Sequence, residues 1–155
     1  MNNVIINNEL NLTYPDGFHE MSEEELTKYF STPADRWGVF NSDEFILLSV
    51  KWTKAGFKRT FTDAESYMIE LEAILRRRLV NYQRLLEFKT KVGGKKAQGI
   101  RFEYRVKDSV RIHVGDLITF KYKKYFYSIL YLTRKKNAAA ARPAFQEVLN
   151  SVTLK

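Results

Sequence analysis

Hydrophobic and polar residues alternate with a period of two through most of the second half of the chain. In the clearest stretch, Ile100, Phe102, Tyr104 and Val106 are separated by arginine, glutamate and arginine. Successive side chains of a strand point to opposite faces of a sheet, so this alternation predicts a half-buried strand. The same reasoning predicts four consecutive strands over residues 82–91, 100–107, 111–123 and 125–133, with a turn at Gly93-Gly94 between the first two.

A helical pattern takes over in the middle of the chain. Hydrophobic residues recur there at spacings of three and four, which predicts a helix over residues 63–80 with its apolar side formed by Tyr67, Met68, Leu71, Ile74, Leu75 and Leu79. Thr62 followed by Glu65 is the sequence of a capping box and predicts where this helix begins. Glu72 and Arg76 lie one turn apart on its polar side, so we expect an ion pair between them.

Shorter elements complete the chain. Residues 10–14 alternate and end at a Pro-Asp-Gly turn, which predicts a strand, and Ser22 followed by Glu25 predicts a capped helix over residues 22–30. Residues 36–40 and 44–52 flank a polar turn and predict a hairpin. Residues 142–149 predict a closing helix with Pro143 in its first turn. The predicted fold is α+β: one domain over residues 1–155, with an antiparallel sheet of about six strands and helices on both faces, an α/β/α sandwich.

The last two predicted strands meet at Lys123-Lys124. A loop of two or four residues places Ile118 opposite Ile129, Phe120 opposite Tyr127 and Tyr122 opposite Tyr125. This register predicts an aromatic ladder on one face of the sheet.

The amino-acid composition excludes several classes of protein for this chain. The chain has 155 residues, a formal charge of +8, two histidines and no cysteine. Without cysteine there is no disulfide framework, thiolate zinc site, cysteine nucleophile or iron–sulfur cluster, and we predict no metal and no cofactor. The first nine residues have no export signal and no stretch approaches about 20 apolar residues, so we expect a cytoplasmic protein without a membrane span.

The charge is distributed unevenly. Residues 1–50 contain nine acidic and two basic residues, a net charge of −7, whereas residues 51–155 contain nine acidic and 24 basic residues, a net charge of +15. Three of the acids, at positions 23–25, lie in the first turn of a predicted helix, where the helix dipole favours negative charge. Since no linker composition separates the two parts, the sequence favours one domain with a dipolar surface.

Catalytic motifs are weak. Ser109, His113 and Asp116 are close in sequence, but on an extended strand Asp116 points away from the side that the other two share. Gly94-Lys95 lacks the glycine and the hydroxyl residue that a phosphate-binding P-loop requires, so we interpret Gly93-Gly94 as a hairpin turn. We predict no catalytic residue and no enzymatic activity.

What remains is a set of basic and aromatic residues on the later strands. Basic grooves with stacking rings are typical of single-strand nucleic-acid binders, but the same pattern also fits a solvated strand face above a core of rings. We take the following as candidate partner-binding residues: Trp52, Arg101, Arg105, Lys121, Tyr122, Lys123, Tyr125 and Tyr127.

Four segments carry a family resemblance. The strand leading into Tyr14-Pro-Asp-Gly-Phe18, the strand Gly99-Ile-Arg-Phe-Glu-Tyr104, the strand from Tyr125 to Tyr131 and the closing Phe145-Gln-Glu-Val-Leu-Asn-Ser151 resemble the PsbP-like superfamily. The resemblance covers nearly the whole chain in element order and is to a bacterial-type branch. It implies an α/β/α sandwich around an antiparallel sheet, and binding or accessory roles without a common enzymatic activity. Members include extrinsic PsbP of photosystem II, a Ran-binding import factor and, at this level of similarity, Eag-type chaperones for type VI secretion effectors.

The chain departs from chloroplast PsbP because it shows no targeting segment, which argues against a photosynthetic role. The sequence thus predicts a non-enzymatic binding, adaptor or chaperone module whose partner is another protein. The alternative is a nucleic-acid-binding protein that uses a basic, aromatic-rich strand face. No membrane partner is expected, and the oligomeric state stays open.

Overall fold

The computed structural model describes residues 1–56 and 62–155. Within them, ten strands and three helices follow in the order β1 (Asn2–Ile6), β2 (Leu10–Tyr14), β3 (His19–Glu20), α1 (Glu23–Phe30), β4 (Arg36–Asn41), β5 (Ile46–Lys54), α2 (Ala64–Arg78), β6 (Val80–Val92), β7 (Lys95–Arg105), β8 (Ile112–Tyr122), β9 (Tyr125–Arg134), α3 (Ala138–Asn150) and β10 (Thr153–Leu154). The fold class is α+β, as predicted.

A seven-stranded antiparallel sheet forms the centre of the molecule, with strand order β3-β4-β5-β9-β8-β7-β6. The hairpin β4–β5 and the meander β6–β7–β8–β9 were both predicted. The two parts join through β5 and β9, which pair from Ile46↔Thr133 to Lys54↔Tyr125. β5 is buried through most of its length, which agrees with its nearly continuous apolar sequence.

A second sheet has three strands in the order β1-β2-β10. The strand predicted over residues 10–14 belongs to this sheet. β1 was not predicted, because its asparagines obscure the alternation in which Ile6 is buried and Ile5 is half-exposed. Asn7 and Asn8 connect β1 to β2 with φ of 52° and 57°, a left-handed conformation that asparagine tolerates better than most residues.

The two faces of the seven-stranded sheet are covered by different elements. On one, here called the α3 face, α3 and the small sheet pack over the largest hydrophobic cluster, whose members include Leu10, Leu12, Val50, Ile118, Phe120, Tyr127, Ile129 and Phe145. On the other, here called the α2 face, α2 packs on Ile100, Phe102 and Leu117. Helix α1 covers Phe40 and Leu47 beside it. Helices on both faces confirm the predicted sandwich.

The helix starts were predicted with mixed success. At α1 the capping box is confirmed: Glu25 N donates to Ser22 Oγ at 3.2 Å, and Ser22 N donates to the Glu25 carboxylate at 3.1 Å. At α2 the prediction of Thr62 as cap was wrong. Asp63 is the N-cap, and its carboxylate accepts from Ser66 N at 2.8 Å. Aspartate is the stronger N-cap of the two residue types, so the helix begins one residue later.

The closing helix was predicted too short. α3 begins at Ala138 and not near Arg142, so Pro143 lies inside the helix and not in its first turn. Alanine has the highest helix propensity, and the run of four alanines at positions 138–141 extends the helix backwards. Pro143 lacks the N–H that would otherwise bond to the Ala139 carbonyl, at a cost that packing of the helix on the sheet offsets.

Candidate functional site

The aromatic ladder predicted from the Lys123-Lys124 loop is confirmed. β8 and β9 pair with Ile118↔Ile129, Phe120↔Tyr127 and Tyr122↔Tyr125, which leaves a two-residue loop. Lys123 takes a φ of 53° in this tight connection. The ladder lies on the α3 face, and Phe120 and Tyr127 stack with ring centroids 5.6 Å apart.

The inner part of the ladder is core. Phe120 and Tyr127 are fully buried. The Tyr127 hydroxyl accepts from Asn7 Nδ2 at 3.0 Å and donates to the Glu9 carboxylate. Burial, together with these contacts to Glu9, raises the pKa of Tyr127 above its ordinary value. Tyr127 therefore ties the large sheet to the β1–β2 turn.

The outer part of the ladder stays accessible. Trp52, Tyr122 and Tyr125 are only partly buried, and we call this group the aromatic end. Lys95 Nζ and Lys123 Nζ lie 5.5 and 5.3 Å from the Tyr122 ring centroid, within the range of cation–π contacts. The aromatic end thus combines apolar rings with positive charge at one end of the sheet.

The remaining predicted residues are not brought to this surface. Arg101 forms a two-pronged ion pair with Asp116, with N–O distances of 2.8 and 3.2 Å. Arg105 Nη1 donates to the Ser109 carbonyl at 2.9 Å. Lys121 lies on the α2 face, with its Nζ 5.5 Å from the centroid of the Phe126 ring. The eight candidates are therefore divided between two faces, and a partner-binding role for each stays a prediction.

The sequence reasoning missed a set of lysines around the β6–β7 turn. Lys89, Lys91, Lys95 and Lys96 line a cleft of about 930 Å³ beside the first turn of α2, together with Lys121, which was already a candidate. A signal for them was present, because a two-residue turn at Gly93-Gly94 makes Lys91 and Lys96 cross-strand neighbours. To predict this pairing of Lys91 with Lys96, the register of the turn is needed in addition to its position.

The three residues considered as a catalytic triad do not converge. His113 is buried on the α2 face, where Nδ1 lies 3.2 Å from the Tyr104 hydroxyl and the ring lies 4.6 Å from that of Phe45. Asp116 lies on the α3 face with Arg101, and Ser109 Oγ accepts from Arg111 N. Burial, then the charges of Arg111 and Arg134, lower the pKa of His113 to about 4. Since His113 Nδ1 faces the Tyr104 hydroxyl and Nε2 has no hydrogen-bond partner among the described residues, His113 and Ser109 do not form the nucleophile–base pair that a triad requires.

A second polar cluster joins α2 to the sheet. Glu72 is 7% exposed and accepts from Tyr82 Oη and Arg84 Nε, each at 2.7 Å, and also from a second nitrogen of Arg84. The predicted partner Arg76 is present at 3.5 Å. These hydrogen bonds, first of all those from Arg84, lower the pKa of Glu72 to about 2. Because the Glu72 carboxylate is fully engaged by donors from Tyr82 and Arg84, the cluster positions α2 on the sheet and is not poised for acid–base chemistry.

The described residues contain no group of three or more histidine, aspartate or glutamate side chains arranged to hold a metal ion. In the same part of the chain, no helix is long and apolar enough to cross a membrane.

Comparison with solved structures identifies proteins that share this architecture. No protein-family model and no curated protein matches the sequence. The fold is similar to that of cyanobacterial PsbP (CyanoP) from Synechocystis, with a TM-score of 0.67 and 13% identity over 94% of this chain and 86% of that one. It is also similar to LpqN, involved in cell envelope biogenesis of Mycobacterium tuberculosis, with a TM-score of 0.65 and 13% identity over 94% and 83% of the two chains.

A third similar structure is the Ran-binding protein Mog1p of Saccharomyces cerevisiae, with a TM-score of 0.64 and 14% identity over 99% of this chain and 96% of that one. Sequence identities this low carry information about the fold alone. The fold is PsbP-like, which confirms the resemblance seen in the sequence.

Proposed function

We propose that this chain is a protein-binding module of the adaptor or chaperone type and that it contacts its partner through the aromatic end. The observation that carries the proposal is the partial exposure of Trp52, Tyr122 and Tyr125 beside Lys95 and Lys123. Tryptophan and tyrosine side chains that can become fully desolvated are among the usual energetic centres of protein interfaces.

The architecture supports the same class of function. One protein with this fold, Mog1p, is described as Ran-binding, so the fold supports protein recognition in at least that case. Ser109, His113 and Asp116 lie apart, which supports a non-enzymatic role. The cytoplasmic location and the single domain over residues 1–155 stay predictions.

Nucleic-acid binding is the second candidate, because lysines lie beside an accessible ring at Tyr122. It is the weaker one. The arginines expected to form a basic strand face are engaged elsewhere, Arg101 with Asp116 and Arg105 with the Ser109 carbonyl.

Site-specific photocrosslinking in the native cell tests the proposal. A photoreactive phenylalanine analogue replaces Tyr125 in one variant and Tyr29 in the matched control, since Tyr29 is an exposed aromatic residue on α1. We expect a discrete protein adduct from position 125 that disappears when Trp52→Ala is added, and none from position 29. Equal adducts from both positions, no adduct from position 125, or adducts removed by nuclease would each contradict the proposal.

A further inference from the structure

A cavity lies between helix α3 and the strands β6, β7 and β8 on the α3 face of the sheet. It has a volume of about 270 Å³. The buried side chains of Ile118, Phe145 and Leu149 form its floor, whereas Pro143 and Gln146 are exposed and mark its mouth. A water molecule takes up about 30 Å³ in the liquid, so the cavity has room for a ligand of about nine non-hydrogen atoms.

The edge strand β6 contributes an apolar wall to this cavity. Phe88 is the cross-strand partner of Gly99, and a Cβ atom at position 99 would overlap the Phe88 ring. Because Gly99 has no side chain, the ring approaches the sheet closely and lines the cavity. Phe88 and Phe145 thus give the cavity two aromatic rings, a lining that suits the apolar part of a ligand.

Helix α3 places an arginine on the side that faces the cavity. Phe145, Gln146 and Leu149 follow Arg142 by three, four and seven residues, so all four share one side of the helix and line the cavity. Arg142 is only partly exposed, and among residues 1–56 and 62–155 its side chain forms no hydrogen bond and no ion pair. A charged group that loses hydration without gaining a partner is unfavourable, so the position favours an anion from outside the chain.

The carboxylate already in the cavity does not balance this charge. Asp116 is the only acidic residue in the described lining, and its two oxygens accept from Arg101 Nε and Nη2 at 2.8 and 3.2 Å. Asp116 and Arg142 also line a second, smaller cavity together, so Arg142 lies beside the Arg101–Asp116 ion pair without joining it. The lining therefore contains two arginines and one carboxylate, a net charge of +1.

These features select a ligand with one negative charge and an apolar body. Arginine binds a carboxylate through two parallel N–H···O bonds, and a single carboxylate neutralises the net charge of the lining. A phosphate ester carries up to about two charges, and an apolar floor does not replace its hydration. A nucleic-acid strand needs a groove that follows its backbone, which a cavity of this volume does not provide.

We infer that this cavity binds a carboxylate attached to a small apolar group. Arg142 is the partner of the carboxylate, and the apolar group contacts Phe88 and Phe145. The ligand carboxylate and Asp116 then alternate with the two arginines, so that each charge has an opposite charge beside it. No residue of the aromatic end belongs to the described lining of the cavity, and the inference does not depend on the proposed protein-binding function.

Titration of the protein with benzoate, followed by the NMR shifts of its backbone amides, tests the inference. Benzoate has the size that the cavity takes, benzamide is its uncharged counterpart of the same shape, and acetate has the charge without the ring. We expect saturable shifts centred on Thr90, Arg101 and Gln146, and binding of benzoate at least about tenfold tighter than that of benzamide or acetate. Benzamide that binds as tightly as benzoate, or shifts centred elsewhere, would overturn the inference.

Two matched variants test the role of Arg142. Arg142→Gln removes the charge from the cavity, and Arg77→Gln makes the same change at an exposed arginine of α2 outside it. We expect the affinity for benzoate to fall at least about tenfold in Arg142→Gln and less than about twofold in Arg77→Gln. Equal losses in the two variants would reduce the effect to net charge and overturn the inference.

Thermal unfolding of the ligand-free variants separates binding from a structural role. Because Arg142 has no internal partner, we expect Arg142→Gln to have the Tm of the parent, and a clearly lowered Tm would assign Arg142 to fold stability and overturn the inference. A second variant, Gln146→Trp, fills the mouth of the cavity at an exposed position without changing its charge. We expect it to keep its Tm and lose benzoate binding, and full retention of binding would contradict the location.

A carboxylate beside an apolar group belongs to free small acids and also to the C-terminus of a protein chain. A short glycine peptide that ends in phenylalanine is therefore titrated with its C-terminus free and with it amidated. Tighter binding of the free-terminus peptide than of benzoate identifies a chain terminus as the source, and the reverse order identifies a free acid. An amidated peptide that binds as tightly as the free one would show that the carboxylate is not recognised and would overturn the inference.

Discussion

Acidification should destabilise this protein through one buried histidine. His113 is 4% exposed, and its Nε2 has no hydrogen-bond partner among the described residues. The facing groups are the Tyr104 hydroxyl, the Phe45 ring and Arg134, which pairs with His113 across β8 and β9. Burial disfavours the charged imidazolium, and the positive charges of Arg111 and Arg134 oppose it further.

The size of the effect follows from the two pKa values. The pKa of His113 is about 4 in the folded protein against an ordinary value of 6.5, so His113 binds the proton more tightly in the unfolded chain. Stability from neutral His113 is complete above pH 6.5 and is lost as the pH falls from 6.5 towards 4. The linkage between protonation and folding lowers the free energy of unfolding by about 2 kcal/mol at pH 5, and by about 3 kcal/mol once the pH is below the folded-state pKa.

Urea unfolding followed by tryptophan fluorescence measures this loss, since Trp37 is buried and Trp52 is partly buried. The comparison is between the parent protein and His113→Gln from pH 7 to pH 5, with His19→Gln as control because it removes the other, half-exposed histidine. We expect the parent and the His19→Gln variant to lose about 2 kcal/mol more than His113→Gln. A parallel decline in all three proteins would refute the assignment, as would a loss that begins only below pH 4.5.

Three further predictions concern the contacts between elements. Glu72→Gln removes the negative charge that two nitrogens of Arg84 bind, and we expect urea unfolding at pH 7 to show a free energy of unfolding lower by about 2 kcal/mol. This difference from the parent shrinks as the pH falls from 4.5 towards 2, because the parent carboxylate becomes protonated in that window. Gly115→Ala places a carbon 2.5 Å from the Phe102 ring, and we expect calorimetry to show a loss of about 2 kcal/mol, or roughly 4–8 °C in Tm. Tyr127→Phe leaves the Glu9 carboxylate without its hydroxyl donor, and we expect a loss of about 1–2 kcal/mol with faster hydrogen exchange in β1 and β2.

Each of the three has an outcome that contradicts it. A Glu72→Gln protein as stable as the parent at pH 7 would show that the charge on Glu72 contributes nothing. For Gly115→Ala the matched control is Gly56→Ala, where the added carbon meets no described atom within 4 Å, and equal Tm shifts would refute the steric argument. For Tyr127→Phe, uniform exchange across all strands would deny a specific link between the two sheets.

Elements whose evidence lies in consecutive residues were predicted well. The period-two alternation located the strands of the meander, and a two-residue loop was enough to derive the Tyr122↔Tyr125 register. The Ser22–Glu25 capping box is likewise complete within four residues. These patterns work because strand alternation and helix capping are determined by backbone geometry over a few residues, whatever packs against them.

Competing local signals were harder to rank. Thr62 and Asp63 can both cap α2, and only the folded helix shows that Asp63 does so. β1, β3 and β10 are two to five residues long and depend on their partners, so their own sequences carry too little signal. A short strand is stabilised by pairing across the sheet, which no local pattern reports.

The sequence by itself determined that this is an α+β chain with an antiparallel sheet, an acidic first third and a basic remainder. Tertiary structure alone decided where those charges lie and what they contact. Arg101 and Arg105, predicted as binding residues, form internal contacts, whereas Lys89, Lys91, Lys95, Lys96 and Lys121 line one cleft. The physical reason is that alternation assigns each residue to a face of its own strand, while the neighbours on that face depend on strand order and register, which are set by contacts between distant residues.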